Sequence, residues 1–250
     1  MQGFILVDLN LDVISLNIGI ASVTLLLTSY LDLKKREVED KVWIVFGAVG
    51  VVLEIYEVLN GVTSVVNLLI AILLAAVVGL GIFFFGLYGG ADAKALIVIA
   101  ILVPYFRPNM GIYAIAPLMV LTNGVLLSMS LPLGLLILNT TRLIRGQKIF
   151  EGFEETFARK LFACFLGYKS NGSPRDFQFS MEKKQEPAGG SETLGKKFDF
   201  SFIQDEFESQ PLTWVTPGIP LLVFFTIGFF VLLLYGDLVI GLVAFFAGLL

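Results

Sequence analysis

The sequence predicts an all-α, polytopic membrane protein with about six transmembrane helices and a small cytoplasmic segment. Of its 250 residues, 56% are hydrophobic and 15% carry a charge, and the mean hydropathy is +0.86. Soluble domains usually contain about 45–50% apolar and about 25% charged residues. The extra apolar residues lie in long blocks, which is typical of helices that cross a bilayer and not of a larger soluble core.

The apolar blocks define the candidate helices, because a bilayer core requires about 20 apolar residues in helical form. We assign six blocks, at residues 14–31, 42–59, 62–87, 95–106, 112–144 and 219–235. The fourth is short unless its helix begins at Asp92, and the fifth fits one helix that is tilted or kinked at Pro132. Residues 238–250 cannot cross a bilayer alone, so they extend the sixth helix, lie at the interface or are the stump of a truncated chain.

Basic residues indicate the orientation, because loops on the cytoplasmic side carry an excess of Lys and Arg. They follow the first, third and fifth blocks: Lys34, Lys35, Arg36 and Lys41, then Lys94, then Arg142, Arg145, Lys148, Arg159 and Lys160. With six spans, this pattern predicts an external N-terminus. It also predicts that Asp32 and Asp92 lie at the cytoplasmic face, although they are far apart in the sequence.

Three regions follow from this pattern: residues 1–145 with helices one to five, a soluble cytoplasmic segment at 146–212, and a C-terminal helix at 213–250. Within the soluble segment, residues 151–165 have the spacing of an amphipathic helix that can lie on the membrane surface. Residues 169–197 have the composition of a flexible linker. Residues 198–207 fit either a short strand pair or a helix.

The residue inventory excludes several kinds of catalytic site. The chain contains no histidine and one cysteine, Cys164, so a Ser-His-Asp triad, a Cys-His pair, a His-based zinc site and Cys-x-x-Cys zinc sites are excluded. Nothing in the sequence indicates nucleic acid, and we expect no cofactor or metal. A pair of carboxylates is the remaining candidate for the catalytic groups of a membrane-embedded enzyme.

Asp32 and Asp92 are the candidate pair, and each also has a structural interpretation. Asp92 follows two glycines and precedes an apolar helix, so it could be an N-cap. Asp32 could be an ordinary acid at the membrane surface, neutralised by nearby Lys and Arg. If the two carboxyl groups are close, however, they share one proton, and the pair can act as general base and general acid in amide hydrolysis.

Both aspartates lie in motifs that resemble a known family. Residues 32–40, Asp-Leu-Lys-Lys-Arg-Glu-Val-Glu-Asp, resemble the first aspartate motif of the type IV prepilin and preflagellin peptidases, which are Gly-x-Gly-Asp intramembrane aspartyl proteases. The second motif of that family, Gly-x-Gly-Asp-x-Lys, is similar to residues 89–94, Gly-Gly-Ala-Asp-Ala-Lys. Four residues of the first segment fit the family pattern: Asp32, Arg36, Val38 and Asp40.

The resemblance implies that Asp32 and Asp92 are catalytic and that Gly89, Gly90, Ala91 and Lys94 form the active-site loop. The absence of paired cysteines and the segment before the last helix make the chain similar to the archaeal preflagellin peptidases. That similarity implies a preflagellin substrate of the archaeal flagellum, with a short basic leader that is cut at the cytoplasmic face. Other pilin-like precursors are an alternative substrate.

One residue departs from the family pattern, because Ala91 stands where the family has glycine. If the turn requires a positive φ, alanine costs about 1 kcal/mol there and can displace Asp92. Beside the site, the acidic residues Glu37, Glu39 and Asp40 could attract a basic leader or simply pair with the neighbouring lysines.

Alternatives from other classes are a proton- or cation-coupled transporter, which would hold its acids nearer the bilayer centre, and a non-catalytic scaffold. Glu54 and Glu57, one turn apart near the outer end of the second block, are expected to reach the interface. We expect Asn67 and Asn139 to form hydrogen bonds between helices.

Overall fold

A computed structural model of the protein describes residues 2–86, 89–106, 114–170, 178–182, 196–200 and 214–248. The described residues are mostly helical, which confirms the predicted fold class. The chain forms two units, one containing Met1–Leu127 and Pro220–Leu250 and the other Ser128–Ile219. Each unit has its own hydrophobic core.

The first unit is built almost entirely from helices. Its described elements are α1 (Gln2–Lys35), α2 (Asp40–Leu59), α3 (Val65–Phe84), α4 (Gly90–Leu102), β1 (Tyr105–Phe106), β2 (Ala114–Ile115), α5 (Ala116–Ser128), α8 (Leu221–Tyr235) and α9 (Leu238–Phe246). The two short strands pair in antiparallel register, with Tyr105 opposite Ile115.

Several of these helices can cross a membrane, so the chain is a multi-pass membrane protein. Within the described residues, four helical segments are long and apolar enough to span: Val13–Lys35, Asp40–Leu59, Val65–Phe84 and Ala116–Ile144. Helices α8 and α9 form a fifth candidate, bent by 55°. The predicted number of six is not confirmed, because α4 has 13 residues and extends only about 20 Å, less than the bilayer core of about 30 Å.

One helix that is tilted or kinked at Pro132 was predicted, and the candidate span Ala116–Ile144 has a short interruption one turn before that proline. Helix α5 ends at Ser128, and α6 (Ser130–Ile144) begins after Met129. A proline lacks an N–H group and its ring clashes with the carbonyl of the residue four positions earlier, which is Ser128 here. Pro132 itself lies in the first turn of α6, where a missing N–H is tolerated.

Helix α4 lies at the centre of the first unit and packs against α1, α2, α3 and α8. Its side chains Leu96 and Ile99 are buried in one core with Leu25 and Phe225. The outer faces of the surrounding helices expose large apolar side chains, as expected for surfaces that contact lipid. Helices α1 and α2, which flank the first aspartate motif, therefore both pack against α4, the helix that contains Asp92.

Glycine permits a close contact between α3 and α4. A Cβ atom placed on Gly79 of α3 would lie 3.2 Å from the Cα atom of Ala93, one residue after Asp92. Gly79 is therefore a packing glycine. Gly81 is not, because an added Cβ there would meet nothing within 4 Å.

The second unit contains α6, α7 (Phe157–Leu166), β3 (Tyr168–Lys169), β4 (Gln178–Ser180) and β5 (Trp214–Pro217). The strands form an antiparallel sheet in the order β3–β5–β4. An aromatic core lies beside the sheet, in which Trp214 stacks on Phe150 and Phe198 stacks on Phe153. Asn139 joins α6 to the end of α7, because its amide donates to the carbonyl oxygens of Cys164 at 3.1 Å and Gly167 at 2.7 Å.

The structure modifies the predictions for this segment. The amphipathic helix expected at 151–165 is α7, which begins at Phe157 after Thr156 accepts a hydrogen bond from the backbone of Arg159. The linker prediction is wrong at β4, which pairs with β5, whereas 171–177 and 183–195 lie outside the described residues. Phe198 forms only an isolated bridge with Glu182, and 201–207 also lie outside the described residues.

Candidate active site

Asp32 lies in the last turns of α1, next to the positive charge of Arg36. The backbone N–H of Arg36 donates to the carbonyl oxygen of Asp32 at 2.9 Å, and the chain then leaves the helix because Arg36 has a φ of 54°. The guanidinium of Arg36 lies 4.0 Å from a carboxylate oxygen of Asp32. A carboxylate near a helix C-terminus is disfavoured by the helix dipole, so this nearby cation offsets part of that cost.

Asp92 lies in the first turn of α4, where its carboxylate also caps the helix. The carboxylate oxygen Oδ2 accepts a hydrogen bond from the backbone N–H of Gly89 at 3.0 Å. Gly89 is the N-cap residue, so the prediction that Asp92 is itself the N-cap is wrong. Its contribution comes from the third helical position, from which an acidic side chain reaches back to the start of the helix.

The carboxyl groups of Asp32 and Asp92 act on each other. The pKa of Asp92 is raised from 3.8 to about 7, chiefly because burial disfavours the charged carboxylate. The hydrogen bond from Gly89 lowers this pKa, and the negative charge of Asp32 raises it. The packing of α1 against α4 therefore brings together two acids that are separated by 59 intervening residues in the sequence (residues 33–91).

A second contact joins the two motifs at the surface. The ammonium group of Lys94, two residues after Asp92, lies 2.5 Å from a carboxylate oxygen of Asp40. Asp40 is the first residue of α2 and the last residue of the first motif. Both side chains are exposed, so this ion pair adds little to stability, but it shows that the start of α2 lies beside the start of α4.

The loop that precedes Asp92 contains no strained alanine. Gly89 has an extended backbone with a φ of −76°, and Gly90 and Ala91 belong to α4. Among the described non-glycine residues, Arg36 is the one with a positive φ. The condition under which Ala91 would be costly is therefore not met, and alanine has a higher helix propensity than glycine at such a position.

The sequence analysis did not predict that Glu54 and Glu57 are buried. Glu54 and Glu57 were expected at the interface, yet they are 2% and 4% exposed. That expectation is wrong because α2 packs its glutamates toward α1, where Asn17 donates a hydrogen bond to Glu57. The spacing of the two glutamates on one helical face, combined with an asparagine in the preceding apolar block, was the signal in the sequence.

Comparisons with known proteins agree with the motifs. Residues 19–133, which include both aspartates, match the model of the type IV leader peptidase family. A preflagellin peptidase of Methanocaldococcus jannaschii is 28% identical over 252 aligned residues, which cover 91% of this chain and 97% of that protein. A preflagellin peptidase of Methanococcus maripaludis is 26% identical over 87% of this chain and 94% of its own, and that of Methanococcus voltae is 24% identical over 90% and 97%. The predicted family resemblance is confirmed.

Proposed function

We propose that this chain, a relative of the type IV leader peptidases through residues 19–133, is a membrane-embedded aspartyl endopeptidase that removes the leader peptide of a preflagellin. The observation that carries the proposal is the interaction between Asp32 and Asp92 across two helices. The names of the related proteins supply the substrate class. No metal or cofactor is required, because two carboxyl groups can supply both the base and the acid of amide hydrolysis.

The electrostatics support a division of roles between the two aspartates. With a pKa of about 7, Asp92 holds a proton on about half of the molecules at neutral pH, so it is suited to be the general acid. Asp32, beside Arg36, is then the general base. Asp32 takes a proton from a water molecule, whose oxygen attacks the peptide carbonyl carbon, while Asp92 donates its proton to the carbonyl oxygen.

The resulting tetrahedral intermediate then collapses. Asp32 passes its proton to the leaving amide nitrogen, the C–N bond breaks, and Asp92 recovers its proton from a hydroxyl of the intermediate as the carboxyl product forms. Both aspartates thus return to their starting protonation states. The Asp40–Lys94 ion pair is consistent with this arrangement, because it places the end of the first motif beside the first turns of α4, which carry Asp92.

We further propose that the site faces the cytoplasm and that the N-terminus is outside. Lys34 and Lys35 lie in the last turn of α1 and Arg36 follows it, and Arg142 and Arg145 lie at the end of the candidate span Ala116–Ile144. Basic residues at these ends favour the cytoplasmic side. A leader that is cut at this face would meet Asp32 and Asp92 without crossing the bilayer.

The exposed acids Glu37 and Glu39 are suited to attract a basic leader, whereas Asp40 is paired with Lys94. Replacing both glutamates with lysine should slow cleavage of a preflagellin that has a basic leader and should affect a substrate with a neutral leader less. The effect should weaken at high salt, because exposed charges are screened. Charge reversal at Glu151 and Glu154, two exposed acids of the other unit, is the matched control. Equal cleavage rates for all these variants would contradict the attraction.

The proposal is tested by incubating a preflagellin with membranes that contain Asp32→Asn or Asp92→Asn. Each single change should abolish cleavage while the protein accumulates normally. Asp237→Asn, which changes an aspartate that caps α9, should cleave like the wild type. Cleavage by either catalytic variant would overturn the proposed pair. If the wild type cleaves only another pilin-like precursor, the substrate is wrong and the peptidase assignment stands.

A further inference from the structure

A second group of buried polar side chains lies on α1 and α2, several helical turns away from the candidate active site. Glu54 and Glu57 are one turn apart on the same face of α2, and Asn17 reaches them from α1. The rise along α2 from Asp40 to Glu54, and along α1 from Asn17 to Asp32, is about 20 Å. This group is therefore separate from the catalytic pair.

Glu57 is held in place by neutral donors. The amide nitrogen of Asn17 donates to one carboxylate oxygen at 2.8 Å, and the hydroxyl of Thr63 donates to the other at 2.7 Å. Glu57 itself is 4% exposed. These bonds orient the carboxylate, but they do not supply a positive charge to balance it.

Glu54 has no such partners. It is 2% exposed, and both of its carboxylate oxygens are buried without a hydrogen-bond partner among the residues that the structure describes. The same holds for the side-chain oxygen of Asn17. Glu54 also lies close enough to Glu57 for the two carboxylates to repel each other. A buried carboxylate without a donor, beside a second carboxylate, is costly unless it takes up a proton or a positive group binds there.

The residues that carry these oxygens, Glu54 and Asn17, also line a cavity. It has a volume of about 980 Å³ and is lined by polar groups that include Asn17, Glu54, Glu57, Thr63, Ser64 and Asn67. Such a volume accommodates a cation together with several water molecules. The side chains that line it carry only oxygen ligands toward a cation, with no cysteine or histidine among them.

We propose that Glu54, Glu57 and Asn17 form a binding site for one hard divalent cation of the Ca²⁺ or Mg²⁺ class. Such ions are bound by carboxylate and amide oxygens and by water. Two carboxylates balance a charge of +2, and the three unpartnered oxygens of Glu54 and Asn17 become ligands. Because the ligands come from α1 and α2, a bound ion links these two helices at a point several turns away from the first aspartate motif.

The test uses the full-length protein, purified in detergent and washed with a chelator. Equilibrium dialysis against radioactive Ca²⁺ should show saturable binding of about one ion per chain. At constant ionic strength, CaCl₂ or MgCl₂ should raise the unfolding temperature, whereas choline chloride should not. Glu54→Gln and Glu57→Gln should each weaken Ca²⁺ binding by at least about tenfold, because replacing a carboxylate ligand removes a negative charge as well as a ligand oxygen. The exposed Glu151→Gln variant should bind like the wild type.

A folding control accompanies the variants. Glu54→Gln preserves the shape of the side chain and removes an unpaired buried charge, so without divalent ions it should unfold at the same temperature as the wild type or higher. Loss of binding in this variant then reports the site and not unfolding. The proposal is overturned if neither ion binds in a saturable manner, or if Glu54→Gln binds as tightly as the wild type. Neither readout depends on peptidase activity.

Discussion

Replacing Asp92 with asparagine should stabilise the protein above neutral pH and have little effect in acid. In the folded chain, the pKa of Asp92 is raised from 3.8 to about 7, mainly by burial. A group whose pKa is raised on folding binds its proton more tightly in the native state, so its contribution to stability is lost as the pH rises from about 4 through about 7. Asparagine avoids this loss, and its carbonyl oxygen can still accept the hydrogen bond from Gly89.

The size of the effect follows from the same pKa. Each pKa unit corresponds to about 1.4 kcal/mol, so the difference between 3.8 and about 7 corresponds to at most about 4 kcal/mol of unfolding free energy. Asp92 is partly exposed, and solvent screening reduces this value to about 2 kcal/mol. For a chain of this length, such a change raises the unfolding temperature by about 4–8 °C.

Thermal unfolding in detergent, followed by tryptophan fluorescence, measures the effect at pH 4.5, 6.5 and 8.5. The difference in unfolding temperature between Asp92→Asn and the wild type should be small at pH 4.5 and largest at pH 8.5. Asp237→Asn, at the start of α9, is the matched control for removing a carboxylate that caps a helix. A difference between Asp92→Asn and the wild type that is the same at all three pH values would refute the reasoning that the charged form of Asp92 is disfavoured by burial.

Two further changes test the packing around the site. Ala91→Gly should lower the unfolding free energy by up to about 1 kcal/mol, because Ala91 is helical and unstrained. It should not make preflagellin cleavage faster. A faster variant would show that the glycine of the family has a role that the backbone conformation does not reveal. Gly79→Ala should destabilise the protein by about 1–3 kcal/mol and slow cleavage, because the new Cβ meets the backbone of Ala93, whereas Gly81→Ala, with open space around it, should stabilise α3 by up to about 1 kcal/mol. Thermal unfolding and cleavage assays on the pair distinguish the two positions, and equal effects at both glycines would contradict the proposed contact.

Asp32 and Asp92 show what the local sequence can predict about the site and what it cannot. Hydropathy located the end of α1, and the Gly-Gly-Ala-Asp sequence located the start of α4, so both acids could be assigned to helix termini without a structure. Which termini meet depends on packing. The distribution of basic residues predicts only that both acids lie at one membrane face. The contact of α1 with α4 brings them close enough for the charge of Asp32 to raise the pKa of Asp92.

The burial of Glu54 and Glu57 also depends on helix packing, so the local sequence pattern did not predict it. Their position in an apolar block indicated only that they lie near a helix end, and interfacial exposure was the simplest solution for two acids there. The side chain of Asn17, from another helix, decides instead that Glu57 is buried and hydrogen-bonded. No pattern within α2 contains that information.

The sequence by itself determined the all-α membrane fold class, the positions of most helices and the identity of the two candidate catalytic acids. It could do so because hydropathy, helix breaking and motif spacing are properties of neighbouring residues. Only the tertiary structure decided that α4 is a short central helix, that Ala91 carries no backbone strain, and that Gly79 rather than Gly81 admits a close neighbour. These outcomes depend on which helix faces meet, and that is set by the fit of side chains that are distant in the chain.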